Sequence, residues 1–221
     1  MMNSNRYARF FDAGSLLLLI TLFAVFALPL FPPSWLVLLN PISFVGIFLA
    51  SAYSLPKKRN QHLWGASVVI VLLLLPLFID LQWVRVVSKS IQALYFFWQV
   101  ISLVREIAHT KEVNKPVIVD AVAAYFLLGI AFSLLVVMVA IIIPGSYSIA
   151  PNDLNDPNRY KAMQEFSYYT FVTYTSTGFG DIVPLKPAAR TLSILIASSG
   201  QLYIATIIAM LVGKYSSITR H

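Results

Sequence analysis

The residue types and spacing with the clearest chemistry lie in Thr173-Tyr-Thr-Ser-Thr-Gly-Phe-Gly-Asp181. Two glycines flank one aromatic residue, a run of hydroxyl residues precedes them, and a carboxylate follows. Gly178 and Gly180 reach backbone angles closed to other residues. A chain that alternates such angles turns successive carbonyl oxygens to one side. Four chains around an axis would then stack rings of carbonyls that replace the water shell of a bare cation. The carbonyls of Ser176, Thr177, Gly178 and Phe179 are expected to line that axis, and the Ser176 hydroxyl adds the innermost ring. No competing chemistry assembles. His62, His109 and His221 are scattered over loops and the tail, and the chain has no cysteine. No nucleophile triad, phosphate loop or pair of carboxylates at one site can be formed, so neither an enzyme nor a cofactor is expected.

A lone Gly-Phe-Gly is a weak signal, and its setting is what gives it weight. The chain has 221 residues, 58% hydrophobic and 11% charged. Soluble domains carry roughly 25% charged residues, so the composition is that of a membrane protein. The net charge of +7, from 16 basic and 9 acidic residues, would suggest nucleic acid in a soluble protein. Here the basic residues cluster in short loops between apolar segments, where membrane topology accounts for them.

A bilayer span takes about 20 mostly apolar residues. Six runs qualify: 13–31, 35–55, 63–79, 84–107, 117–143 and 188–212. The first follows Arg6 and Arg9 but is too long for a signal peptide and lacks a small-residue cleavage site, so it is read as a retained helix. Pro29, Pro32 and Pro33 turn the chain into the second span, where Asn40-Pro41 marks a late helix start. Pro116 suits the first turn of the fifth helix, which Pro144-Gly145 ends. The stretch 146–159 has the composition of an exposed loop. Residues 165–175 are too short to cross and too apolar for water, which fits a re-entrant half-helix. With the N-terminus inside, Arg6, Arg9, Lys57, Lys58, Arg59, Arg105, Lys111, Lys115, Lys214 and Arg220 fall on the cytoplasmic side, against Arg159, Lys161, Lys186 and Arg190 outside. That balance obeys the positive-inside rule and places both termini in the cytoplasm of a multi-pass protein of the cell (inner or plasma) membrane.

Ser176-Thr-Gly-Phe-Gly-Asp181 resembles the signature filter of tetrameric potassium channels. Val119-Asp-Ala-Val-Ala-Ala-Tyr-Phe-Leu-Leu-Gly129, Phe171-Val-Thr-Tyr-Thr175 and Gly200-Gln-Leu-Tyr-Ile-Ala205 are similar to segments of small bacterial six-helix potassium channels, whose pore domain is shared with two-pore channels. The likeness covers about residues 117–213; the first four helices agree only in number and hydrophobicity. It implies an all-α membrane fold of six transmembrane helices plus a re-entrant pore helix and selectivity filter. Its divisions would be a peripheral domain (1–108), a linker (109–116) and a pore domain (117–221) with pore helix 162–175 and filter 176–181. It implies a homotetramer in lipid with no cytoplasmic regulatory domain, and potassium as the permeant ion bound at Ser176, Thr177, Gly178, Phe179 and Gly180. Thr175, Asp181, Tyr168 and Tyr169 would support the filter.

Departures from the family pattern are informative. Ser176 stands where threonine is usual, keeping the oxygen but losing the stiffness of a β-branched side chain, so a looser innermost ring is expected. Tyr168 and Tyr169 stand where relatives usually have tryptophans, as a cuff around the filter or as interfacial anchors, and a Tyr hydroxyl there can hydrogen-bond Asp181. Val172 replaces a glutamate that pairs with the aspartate in some relatives, and Glu165 is read as capping or solvating the start of the pore helix. Gly200 is either a hinge or a site of close packing. Ile204, Ile208 and Leu211 share one face that can form an apolar gate or plain packing surface, and Ser198, Ser199, Gln201 and Thr206 mark a face turned from lipid.

The fourth helix carries only Arg85 and Lys89 in its outer half, with Gln92 and Gln99 deeper and Arg105 at its end. The first three spans offer only Asp12 and Asp80 as countercharges, so steep voltage gating is not expected. Asp153, Asp156 and Asp181 would gather cations at the outer mouth. Two alternatives stay open from sequence: a weakly selective monovalent cation channel, and a non-conducting membrane scaffold or subunit reusing the pore fold.

Overall fold

A computed structural model describes residues 4–55, 59–79, 81–110, 114–149 and 159–218, with the side chains of 4–12, 33, 77, 159–161 and 215–218 excepted. The side chains of Arg6, Arg9, Asp12, Lys57, Lys58, Asp80, Lys111, Asp153, Asp156, Arg159, Lys161 and Arg220, and His221, lie outside what is described. The described residues form helices: α1 (Ser4–Leu22), α2 (Pro33–Tyr53), α3 (Arg59–Phe78), α4 (Gln82–His109), α5 (Lys115–Ile142), α6 (Arg159–Tyr174) and α7 (Pro187–Ile218). A π-type turn, Phe23–Ala27, and a tight turn, Leu28–Leu30, extend α1. Four stretches are long and apolar enough to cross a membrane: Ala13–Leu30, Ser34–Tyr53, Lys115–Ile142 and Pro187–Lys214. With 20 and 28 residues, α3 and α4 have the length to cross as well, but α3 opens on the polar run Arg59-Asn-Gln-His62 and α4 carries Arg85, Lys89, Arg105 and Glu106.

The predicted late start of the second helix is wrong. α2 begins at Pro33, whose missing N–H is no loss in a first turn, and runs through Pro41. The interruption removes one backbone hydrogen bond from the interior, and the helix nonetheless continues on both sides of it. Asn114 caps α5 by accepting from the Val117 amide at 3.3 Å, with Pro116 in the first turn as the sequence suggests. At the other end Gly145 takes a φ of 72°, a left-handed angle that turns the chain out of the helix.

Each of α1, α2 and α3 packs on the next, while α1 and α4 both lie along α5, which in turn supports α6 and α7. α5 is apolar all round, as befits a helix covered on several sides, and its Leu127, Ala131 and Val136 are fully buried. At Gly129 the ring of Phe171 from α6 comes within 2.6 Å of where a Cβ would stand. The α1–α4 part is held by stacked rings, with Phe48 and Phe96 centroids 5.0 Å apart. In contrast α7 leaves most of its surface uncovered in the single chain.

Candidate functional site

The site is the loop between α6 and α7. Sixteen residues of α6 rise only about 24 Å, short of the ~30 Å hydrocarbon core. α6 begins three residues earlier than the sequence suggests, so Glu165 sits in its second turn and cannot cap its start. Beyond Tyr174 the backbone folds back on the end of α6. The amides of Thr175, Ser176 and Thr177 donate to the carbonyls of Phe171, Thr173 and Val172, each at 2.9 Å, and Gly178 reaches the Val172 carbonyl at 3.2 Å. Orphan carbonyls of a helix C-terminus are thereby satisfied by the loop's own first amides. The Thr175 hydroxyl bonds the Phe171 carbonyl at 2.8 Å and lies 2.9 Å from Thr177 Oγ1.

Positive φ then occurs at every second residue: Ser176 at 59°, Gly178 at 60° and Gly180 at 80°. The two glycines adopt this region freely; Ser176 is the only described non-glycine residue that does so. A β-branched residue is a marked outlier at such an angle, so a serine relieves strain that a threonine would carry here. Residues 175–181 are all exposed in the single chain, and the Phe179 ring is 69% exposed.

The Asp181 end of the loop is fixed by two contacts. The Tyr168 hydroxyl donates to Asp181 Oδ2 at 2.7 Å, while the Ile182 amide donates to Oδ1 at 3.0 Å. The hydroxyl beside it holds the Asp181 carboxyl below the usual carboxylate range. The return segment pairs with the segment after α5: Ser148 N donates to the Val183 carbonyl at 3.0 Å and Leu185 N to that of Ser146 at 2.8 Å. Tyr169 points elsewhere. It is buried, its ring packs on Tyr147 with centroids 5.1 Å apart, and its hydroxyl lies 2.5 Å from Ser193 Oγ on α7. The two adjacent tyrosines thus divide the work, one on the loop and one on α7.

Where the loop leaves α6, α7 presses on that helix. A Cβ at Gly200 would collide with the Tyr174 carbonyl oxygen, so close helix packing by itself demands glycine there. Tyr174, fully buried, donates to the Tyr125 carbonyl at 3.3 Å. One residue on, Gln201 Nε2 donates to Ser176 Oγ at 3.1 Å. Sequence reasoning marked Gln201 only as part of a polar face; its signal was an amide in the middle of an apolar span, where a polar group needs a partner. Ile204 and Ile208 are exposed on α7, but Leu211 turns toward the cluster of Ile107, Val117, Ala121 and Ile207. Sequence did not name Ser193, and it gave Gly129 only as the end of a family-like segment and Lys214 only as a loop charge, since their partners come from distant helices.

Among the described residues no group of three or more His, Asp or Glu side chains gathers that could hold a metal ion. Residues 125–216, from the middle of α5 to near the end of α7, match the family model described as Ion channel. No curated protein and no solved structure matches the chain. The described residues are thus all-helical, with four stretches long and apolar enough to cross a membrane, and residues 125–216 are similar to a family of ion channels.

Proposed function

We propose that this protein is a potassium-selective channel in which four copies surround one axis and conduct passively down the electrochemical gradient. The observation that carries the reading is the alternation of positive φ at Ser176, Gly178 and Gly180. Such alternation directs the intervening carbonyls to a common side, where rings from several copies take the place of a cation's hydration shell. The exposure of residues 175–181 supports the same reading. Backbone at membrane depth that is not helical needs protein or a water-filled cavity around it, and a single chain leaves this loop uncovered. Copies related by cyclic symmetry would cover it with the uncovered face of α7.

In this reading α6 is the pore helix, 176–181 the filter and α7 the lining of the inner cavity. The helices before residue 109 form a peripheral domain, all six long helices cross the membrane, and both termini are cytoplasmic. Ions shed water onto the carbonyl rings of Ser176, Thr177, Gly178 and Phe179 and advance by repulsion between occupied sites. Asp181, kept ionised by Tyr168, favours cations at the outer mouth. The test is ion flux into liposomes carrying the purified protein, with cross-linking of the same sample. Potassium flux blocked by barium, little sodium entry and a cross-linked tetramer are expected. Equal sodium flux would reduce the protein to a general cation pore. Absence of tetramers would overturn the reading.

A further inference from the structure

The base of the loop holds a contact that the filter reading does not require. Ser176 occupies the position of the innermost ring, and its hydroxyl is the one side-chain oxygen there. Serine lacks the branching that would restrict its side-chain torsion, so its hydroxyl is free to rotate unless something holds it. Gln201 Nε2, on α7, donates to that oxygen at 3.1 Å. Gln201 is itself held in place. The neighbouring Gly200 is backed against the Tyr174 carbonyl with no room for a Cβ, and Tyr174 is fully buried. The distance from Gln201 to Ser176 is therefore fixed by a helix-to-helix contact rather than by a flexible loop.

A serine hydroxyl has one proton to give and two lone pairs to receive with. The Gln201 N–H occupies one lone pair and leaves the second for a cation. We propose that Gln201 is a positioning residue for the innermost cation site, orienting the Ser176 hydroxyl and supplying the order that the missing β-branch would otherwise give. Four such amides beneath four hydroxyls make the innermost ring a network of side chains, unlike the backbone rings above it. This rests on the potassium-filter reading. It adds that discrimination at the innermost site depends on a residue outside the filter, on α7.

The experiment measures cation binding instead of flux, so a closed gate does not interfere. A cation that binds the folded tetramer alone raises its melting temperature according to its dissociation constant. The purified full-length protein is titrated with potassium, barium and sodium, with tetramer content checked by cross-linking. The variants are Gln201→Met, which keeps the length and removes the donor, Ser176→Ala, and the double variant. If Gln201 acts through Ser176, Gln201→Met weakens apparent potassium and barium binding by about fivefold, the range of one net hydrogen bond. Ser176→Ala weakens it at least as much, and the double variant is no worse than Ser176→Ala alone. Gln201→Glu, which accepts where glutamine donates, guards against a misfolded Gln201→Met and should also change the ratio of barium to potassium affinity. Unchanged binding in both Gln201 variants, or additive effects in the double variant, would overturn the proposal and leave the filter reading intact. A wild-type tetramer that binds potassium no better than sodium would overturn both.

Discussion

At the residue scale the loop depends on a few backbone and side-chain decisions. Gly200 was open in the sequence to two readings, and the collision between a Cβ and the Tyr174 carbonyl gives packing a sufficient physical cause. Gly200→Ala is expected to destabilise the fold by about 1–3 kcal/mol, the range for overpacking a tight contact, because a backbone carbonyl at a helix end cannot swing aside. A thermal melt of the purified variant checks this, and a variant that melts normally but opens differently would point to a hinge. Tyr168 and Asp181 yield a prediction with a sign. The Tyr168 hydroxyl lowers the Asp181 pKa by more than desolvation raises it, so the ionised carboxylate persists below the ordinary carboxylate range and is lost only on stronger acidification. In Tyr168→Phe that support is gone. The external pH at which conduction fails should then move upward toward the ordinary carboxylate value, as read from flux against a series of external pH values. An unmoved acid limit would mean that Asp181 has no part in conduction.

At the element scale the helices were legible as apolar runs, four of them long and apolar enough to cross a bilayer. Their ends were less so. α1 reaches back to Ser4 and α7 forward to Ile218, through polar turns that a hydropathy reading trims away, and Pro41 was read as a boundary where the helix runs through it. Inside the site, the glycine spacing showed where the backbone would alternate, but not that Ser176 would share the left-handed angle. The pairings Tyr168–Asp181 and Gln201–Ser176 differ in kind. The first joins residues 13 apart across a turn and was anticipated; the second joins residues 25 apart on separate elements and depends on how α7 docks. The same limit hid Lys214. Its ammonium, near the end of α7, donates to the carbonyls of Ile107, Ala108 and Thr110 at 2.5, 3.0 and 2.7 Å. These lie at the C-terminus of α4, where orphan carbonyls and the helix dipole both favour a cation. Lys214→Met should loosen this junction by about 1 kcal/mol. Amide hydrogen exchange over the first turns of α5 and the last of α4 should then be faster by roughly fivefold, with Lys214→Arg close to wild type. Unchanged exchange would show that the contact adds nothing to the junction.

At the scale of the whole molecule, the proposed reading sets α1–α4 across the membrane around the pore, and the interior of α4 then decides whether they sense voltage. Arg85 and Lys89 fall in the first three turns of α4, and Lys89 Nζ sits 5.9 Å from the centre of the Phe44 ring. Deeper along the same helix come Gln92 and Gln99, both buried and both neutral. Gln99 Nε2 donates to the Tyr95 hydroxyl at 2.5 Å, which donates in turn to the His62 carbonyl at 3.2 Å. A hydrogen-bonded amide thus stands where a moving charge would have to pass. Moving one charge through the whole field is worth ~2.3 kcal/mol per 100 mV, so two charges confined near one face couple to only a small part of that. α4 also lies along its own chain's α5 for much of its length, a contact that a sliding helix would break. The expected result in a planar bilayer is a current that follows driving force, with no steep rise between about −100 and +100 mV. Neutralising both cations in Arg85→Gln/Lys89→Gln should leave the shape of that curve unchanged. A steep voltage dependence that flattens in the double variant would show that these two charges do cross the field, and that the neutral interior of α4 is not the barrier it is taken to be.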